Sequence, residues 1–321
     1  MERSNRMSKI ISLDVGGSKI LGGLFNEEGE ILERVKVKTF ASKGRDFVLS
    51  QIKLVIDELS KDHTDLSGIA ANIPGIIEDN RRVVTCPNVP IEDFDLSEYL
   101  KEEYNVEVLI GNDVSLAIYG EWHHLKEKPQ NVVGLFLGTG VGGGLIINGH
   151  LYEGQGGAGE IGHMIIQPRG RRCGCGNEGC VEAYASKAGM LRQILAEKER
   201  GRASSFYQYI PEDGSMIKGS AFTKALAEDD ELTKEVLDEA AYYLGLCVAS
   251  LANILHVDEF IFGGGMTDNV GDYILPKALT VAKRNSMPFI SDSIVFNRCS
   301  LGDDAGILGG YHFMKEEMAH A

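Results

Sequence analysis

Two stretches of the sequence align with each other without a gap, displaced by 122 residues: Ile11–Asn26 reads ISLDVGGSKILGGLFN and Val133–Asn148 reads VGLFLGTGVGGGLIIN. Gly16 falls on Gly138, Gly22 on Gly144 and Asn26 on Asn148, while apolar positions 11, 13 and 15 fall on 133, 135 and 137. Each copy reads as an apolar strand, a glycine turn, a second strand and a polar turn, Glu28-Gly29 in one and Asn148-Gly149 in the other. Glycine-rich hairpins resemble one another for steric reasons alone, and that is one reading. The other is a duplicated chain in which each half presents a backbone loop to a shared ligand.

The surrounding pattern is α/β. Strands are expected at Ile10–Val15, Ile20–Phe25, Ile31–Val37, Ser67–Ile73, Val106–Ile110 and Glu259–Phe262. Helical spacing marks Phe47–Leu59, Val114–Leu125, Ala185–Arg200, Ala221–Glu228, Leu232–His256, Asn269–Asn285 and Ala305–Met318. At 321 residues the chain is long enough for two domains. No low-complexity linker marks the boundary, which is expected near Asp113: a smaller lobe of 8–113 joined by about 304–321, and a larger lobe of 114–303.

Three glycine turns follow strands: Asp14-Val15-Gly16-Gly17-Ser18-Lys19, Gly138-Thr139-Gly140 and Gly263-Gly264-Gly265-Met266. Glycine lets backbone N–H groups approach phosphate oxygens closely. No Walker A pattern occurs, and no Gly-x-Gly-x-x-Gly has its distant acidic residue, so the P-loop and dinucleotide readings lose ground. Asp14 stands at a strand end beside such a turn, suited to hold Mg²⁺ through water or to accept the bonds of an Asx-turn. Asn112-Asp113 closes an apolar strand and opens a helix. Its carboxylate could cap that helix, or accept the proton of an attacking hydroxyl if it is not committed to the helix N–H groups.

His163, Cys173, Cys175 and Cys180 form the sharpest constellation. One histidine and three thiols within 18 residues complete a tetrahedral set with no open position, so an ion held there is structural. Free thiols beside an unrelated histidine are the alternative. Cys86, Cys247 and Cys299 lie apart and read as packing residues.

Together these residues resemble the ROK family of sugar kinases and sugar-responsive repressors, most closely its glucokinase members. The resemblance runs from Asp14 to about Gly310 on DVGGSK (14–19), LGTGVGGGLIINGHLYEG (137–154), AGEIGHM (158–164), CGCGNEGCVE (173–182) and FGGGM (262–266). It implies an actin-like ATPase (ribonuclease H-like) fold with two similar lobes around a cleft, and ATP-dependent phosphorylation of a hexose, glucose foremost, at the 6-hydroxyl. It further implies Asp113 as the base, with Asn112, Gly75, Asn88, Glu160, His163 and Glu182 at the sugar. The nucleotide would meet Asp14, Gly16, Gly17, Ser18, Lys19, Gly138, Thr139, Gly140, Gly264, Gly265 and Met266. Mg²⁺ would accompany ATP, and structural Zn²⁺ would take His163 and the three cysteines. Ser18 stands where the family usually has threonine, and a hydroxyl remains.

Kinases of N-acetylglucosamine or N-acetylmannosamine share these motifs, and a repressor of the same family is a different class of function. Thirty-two Lys and Arg against 47 Asp and Glu give −15, and only 13 residues precede Asp14, so no DNA reader is expected. A filament-forming actin relative would leave the cysteine loop unexplained. Met1–Ser8 is polar and the apolar run after it is broken by Asp14 and glycines, so neither a secretory signal nor a membrane span is expected. Met7 begins a sensible sequence by itself, and residues 1–6 read as an extension. A cytoplasmic enzyme, homo-oligomeric as a dimer or tetramer, is the resulting expectation.

Overall fold

The computed structural model describes residues 9–212 and 216–320, and the expected extension at residues 1–6 lies outside them. The chain divides into two compact units. One takes the chain up to Lys128, Leu151–Ala158 and everything from Ser300; the other takes Pro129–His150 and Gly159–Cys299.

In the first unit, β1 (Lys9–Val15), β2 (Lys19–Phe25) and β3 (Ile31–Lys38) form an antiparallel meander. Helix α1 (Arg45–Ser60) then buries Val48, Ile52, Val55, Ile56 and Leu59, the helical spacing read from the sequence. Strand β4 (Leu66–Ile73) returns parallel to β1. The small antiparallel sheet of β5 (Ile76–Glu78), β6 (Arg82–Thr85) and β7 (Phe94–Asp95) follows, leading into helix α2 (Leu96–Tyr104). Strand β8 (Glu107–Asn112) completes the main sheet in the order β3-β2-β1-β4-β8, and α3 (Asp113–His124) leaves its end.

The boundary expected near Asp113 differs from this division, because α3 stays with the first unit. The reason is close packing against the C-terminal helix, Asp304–His320. A Cβ on Gly309 would sit 1.7 Å from the Leu116 carbonyl oxygen, and one on Gly120 would sit 2.3 Å from that of Ala305. Two glycines thus let the backbones of the two helices approach closer than side chains would permit. Buried Glu121 fixes the entry to the C-terminal helix by accepting the N–H groups of Ser300 at 2.9 Å and Leu301 at 2.8 Å.

The second unit repeats the plan. Strands β9 (Val132–Leu137), β10 (Val141–Ile147) and β11 (His150–Leu151) open a sheet ordered β11-β10-β9-β12-β13. Helices α4 (Glu182–Ala185), α5 (Lys187–Glu199), α6 (Ser220–Ala227) and α7 (Glu231–Leu255) precede β12 (Glu259–Gly263). Helix α8 (Gly265–Asn285), the short α9 (Pro288–Ser291) and β13 (Phe296–Arg298) follow, and the C-terminal helix is α10. Both β12 and β13 run parallel, as β4 and β8 do.

The sequence repeat is therefore a structural repeat, with one difference. Strand β2 (Lys19–Phe25) and strand β10 (Val141–Ile147) are the same seven positions displaced by 122. Yet Val15 pairs with Ile20 in the first hairpin, whereas Leu137 pairs with Val141 in the second, one residue out of step. The turns account for it: Gly16 N–H bonds Lys19 O, while Gly138 N–H bonds Gly140 O, a tighter closure by one residue.

Two helix expectations are also refined. Ser186 breaks the run Ala185–Arg200 by accepting Gly189 N–H at 2.9 Å, starting α5 afresh. Helix α8 begins at Gly265, a turn before the expected Asn269, because Gly264 at φ +87° serves as its N-cap.

Candidate active site and metal centre

Asp14 is the penultimate residue of β1, in register with Leu21 on β2 and Asn72 on β4. Among the described residues no hydrogen bond reaches its carboxylate, so the Asx-turn is not what forms. Burial pushes its pKa up to about 6, against the pull of nearby Lys19 and with a further push from Asp303. Lys19 Nζ meets Asp303 Oδ2 at 2.6 Å, and Lys36 Nζ joins the same oxygen at 3.1 Å. These two lysines hold the Asp303 carboxyl below the usual range. Asp303 escapes sequence reasoning, since 267 residues separate it from Lys36.

The Asn112-Asp113 pair is divided in labour. Asn112 is the N-cap of α3: its Oδ1 accepts Ser115 N–H at 3.0 Å, and its Nδ2 donates to Gly75 O at 2.9 Å. Asp113 is the first residue of the helix, and its Oδ1 accepts the adjacent Val114 N–H at 2.9 Å. Gly75 is thereby joined to Asn112, and Asn88 lies against Gly17, whose Cβ would sit 2.8 Å from the Asn88 carbonyl oxygen. Cys86 is buried nearby, its thiol raised to about 11 by burial and by the Asp113 charge.

The second unit carries the other two glycine turns. Gly138-Thr139-Gly140 joins β9 to β10, and Gly264-Gly265-Met266 leads β12 into α8. Met266 is buried, and its side chain packs in the core of the second unit. The N-terminal N–H groups of α8 have no side-chain cap, a setting that favours an anion. The glycines differ in kind. Gly264 is sterically required, at φ +87° with the Leu137 carbonyl oxygen 2.7 Å from its would-be Cβ, whereas Gly140 faces only the end of a flexible side chain, Glu182 Oε2 at 2.4 Å. Gly138 and Gly265 have nothing within 4 Å.

His163 closes a short 3₁₀ turn, Ile161–His163, and the cysteines follow on a loop pinned by Cys173 N–H to Asn177 O (2.8 Å) and Gly179 N–H to Arg171 O (2.8 Å). The ligand atoms of His163, Cys173, Cys175 and Cys180 all lie within 4.8 Å of one another. Cys173 Sγ is 3.7 Å from His163 Nδ1, and Cys175 Sγ is 3.7 Å from Cys180 Sγ. A tetrahedral ion with Zn–S bonds of about 2.3 Å requires S···S edges of roughly 3.8 Å. The set fits such an ion. With Nδ1 turned to the sulfurs, Nε2 of His163 faces Glu160 Oε2 at 3.9 Å.

Glu182 sits two residues beyond Cys180. Its Oε2 accepts Val141 N–H at 3.0 Å and its Oε1 accepts the Cys173 thiol at 3.5 Å. The side chain read from the sequence as a sugar ligand is thus also attached to the second glycine turn.

Residues 10–317 match the ROK family. The chain belongs to the ROK family. A glucokinase from Halalkalibacterium halodurans is 32% identical over 96% of this chain and 95% of that protein. A xylose repressor from Bacillus spizizenii is 28% identical over 93% of this chain and 75% of its own length. A crystal structure of a ROK family glucokinase from Streptomyces griseus, in complex with glucose and AMPPNP, superposes with a TM-score of 0.79 at 28% identity, covering 96% of this chain and 99% of that one. The actin-like ATPase fold of the ROK family accounts for the repeated sheet, three antiparallel strands followed by two parallel ones in each unit.

Proposed function

We propose that the chain transfers the γ-phosphoryl group of ATP to the 6-hydroxyl of a hexose, with glucose as the substrate. The observation that carries this reading is the cap of α3. Asn112 supplies it, and Asp113 follows as the first residue of the helix, its Oδ1 accepting Val114 N–H. The glucokinase relative, similar over nearly the whole chain, supports the same reading.

In this reaction Asp113 accepts the proton of the 6-hydroxyl as its oxygen bonds to phosphorus, and the bond from phosphorus to the leaving ADP oxygen breaks. The backbone N–H groups of the glycine turns at 16–18, 138–140 and 264–266 bind phosphate oxygens, and Lys19 adds a positive charge. Mg²⁺ arriving with ATP neutralises phosphate charge, with Asp14 as its carboxylate on the protein. Asn112, Gly75, Asn88, Glu160, His163 and Glu182 bind sugar hydroxyls and orient them. His163, Cys173, Cys175 and Cys180 would hold Zn²⁺ as a structural ion; bound there it would fix the loop and the His163 tautomer, leaving Nε2 to carry the proton and donate. None of the six cysteines forms a disulfide, which supports a cytoplasmic setting. Among the described residues no helix is long and apolar enough to cross a membrane. A homo-oligomer belongs to the same reading.

The test is ADP release coupled to a chromogenic readout, run over glucose, mannose, N-acetylglucosamine and N-acetylmannosamine. Glucose is expected to stimulate turnover most. Stimulation by an N-acetyl hexosamine alone would move the substrate within the class. Sugar binding with no ATP turnover would defeat the kinase reading in favour of a repressor-like sensor.

A further inference from the structure

The metal loop and the second glycine turn are one bonded assembly. Cys180 is followed within two residues by Glu182, whose Oε2 accepts Val141 N–H at 3.0 Å, the first residue after the turn. Two more bonds come from the same segment: Lys187 N–H to Gly138 O at 3.0 Å, and Ala188 N–H to Thr139 O at 3.2 Å. The turn is therefore held at Gly138, Thr139 and Val141 by residues 182–188. A Cβ on Gly140 would lie 2.4 Å from Glu182 Oε2, so the carboxylate fills the space beside the turn that a side chain would otherwise take.

The other end of this segment is fixed by the cysteines. Val181 N–H bonds Met164 O at 3.0 Å, directly after His163, and Ala183 N–H bonds Cys180 O at 3.0 Å. An ion at His163 and the three cysteines would lock both neighbours of the segment at once. Without it, the loop rests on backbone bonds and thiol contacts.

We propose that Glu182 is a positioning residue for the nucleotide: through it, metal at the His-Cys₃ site sets the geometry of the turn at 138–140, and so the affinity for ATP and ADP. The proposal rests on the kinase reading and goes beyond a role for the metal at the sugar alone. Glu182 acts here as an acceptor for a backbone N–H, a task a glutamine amide oxygen can also perform and an alanine cannot.

ADP binding, measured by titration calorimetry in the absence of sugar, separates the possibilities. The intact zinc-loaded chain gives the reference Kd. Glu182→Ala is expected to weaken ADP by roughly tenfold, the size of a lost charged hydrogen bond in a supporting shell. Glu182→Gln is expected to restore most of that loss. Cys175→Ser, at the exposed ligand, and chelation of the unaltered chain should weaken ADP by a similar factor, with circular dichroism showing the fold retained. Should Glu182→Ala fail to fold, the chelated parent chain decides. ADP affinity unchanged on metal removal, or unchanged in Glu182→Ala, overturns the proposal while leaving the kinase reading intact. No ADP binding by the zinc-loaded parent would instead remove the kinase reading on which it stands.

Discussion

Asn112 Oδ1 accepts the backbone N–H of Ser115 at 3.0 Å, so the N-cap of α3 is Asn112 and the neighbouring Asp113 is the first residue of the helix. A helix needs one such cap, and the strand-ending residue provides it. Two substitutions should separate the roles. Asp113→Asn should lower turnover by about 10²–10⁴-fold, the usual worth of a general base, while sugar affinity stays within a few-fold. Asn112→Ala should cost about 1 kcal/mol of stability from the lost cap, read as a lower denaturant midpoint. Normal turnover in Asp113→Asn would remove Asp113 as the base.

The buried carboxyl of Asp14 makes a pH prediction. Its pKa is about 6 in the folded chain against 3.8 in an unfolded one, so the folded state holds the proton more tightly. The sign follows from linkage: this preference stabilises the nucleotide-free chain fully below 3.8 and is lost as pH rises through about 6. Asp14→Asn should therefore raise the melting temperature of the nucleotide-free protein at pH 7.5, with the gain shrinking at pH 5. Turnover should fall at the same time, since the charged form is the one that serves Mg²⁺. The KM for Mg-ATP of the parent should rise as pH drops below about 6. A profile that is flat from pH 5 to 7.5 would rule out this role.

The repeat, the α/β order and the His-Cys₃ set were legible because each is written in adjacent residues: glycines at strand ends, and four ligands within one short stretch. What was not legible depends on partners far apart. The pairing of Lys36 with Asp303 joins positions 267 residues apart, and neither residue carries a motif. The small sheet of β5 to β7 went unread because its strands, at two to four residues, are too short for periodicity to show. From sequence, the Asp113 carboxylate reads as the cap of a helix from Val114; the structure gives the cap to Asn112, because the helix starts one residue earlier, at Asp113. Glu182 was readable as a carboxylate near the cysteines, but its bond to Val141 needed the hairpin in place.

The glycines can be sorted by experiment in the way the structure sorts them. Gly309 lies against α3 with the Leu116 carbonyl oxygen 1.7 Å from any Cβ, and backbone cannot yield as a side chain can. Gly309→Ala should destabilise the chain by at least about 2 kcal/mol, the cost of overpacking a close contact. Gly138→Ala meets nothing within 4 Å and should melt within about a degree of the parent. Its effect should appear in the KM for ATP instead, because the open space beside the turn is then kept for phosphate. Equal nucleotide kinetics in Gly138→Ala would return that glycine to a purely local role.

The metal set makes the last prediction. Four ligand atoms within 4.8 Å, with edges of 3.7 Å, suit a tetrahedral ion, and metal analysis of the purified chain should find about one zinc per chain. Binding to the folded chain alone stabilises it by mass action, so a strong chelator should lower the melting temperature by at least about 5 °C. Lowering the pH should release the ion as protons compete with it for the ligand atoms, which makes the chelator's effect smaller at pH 5 than at pH 7.5. Cys175→Ser should reproduce the chelated state without chelator, whereas Cys247→Ser, buried in α7 and away from the set, should leave metal content unchanged. Metal-free protein with the melting curve of the parent would show that the loop is held by its backbone bonds and thiol contacts alone.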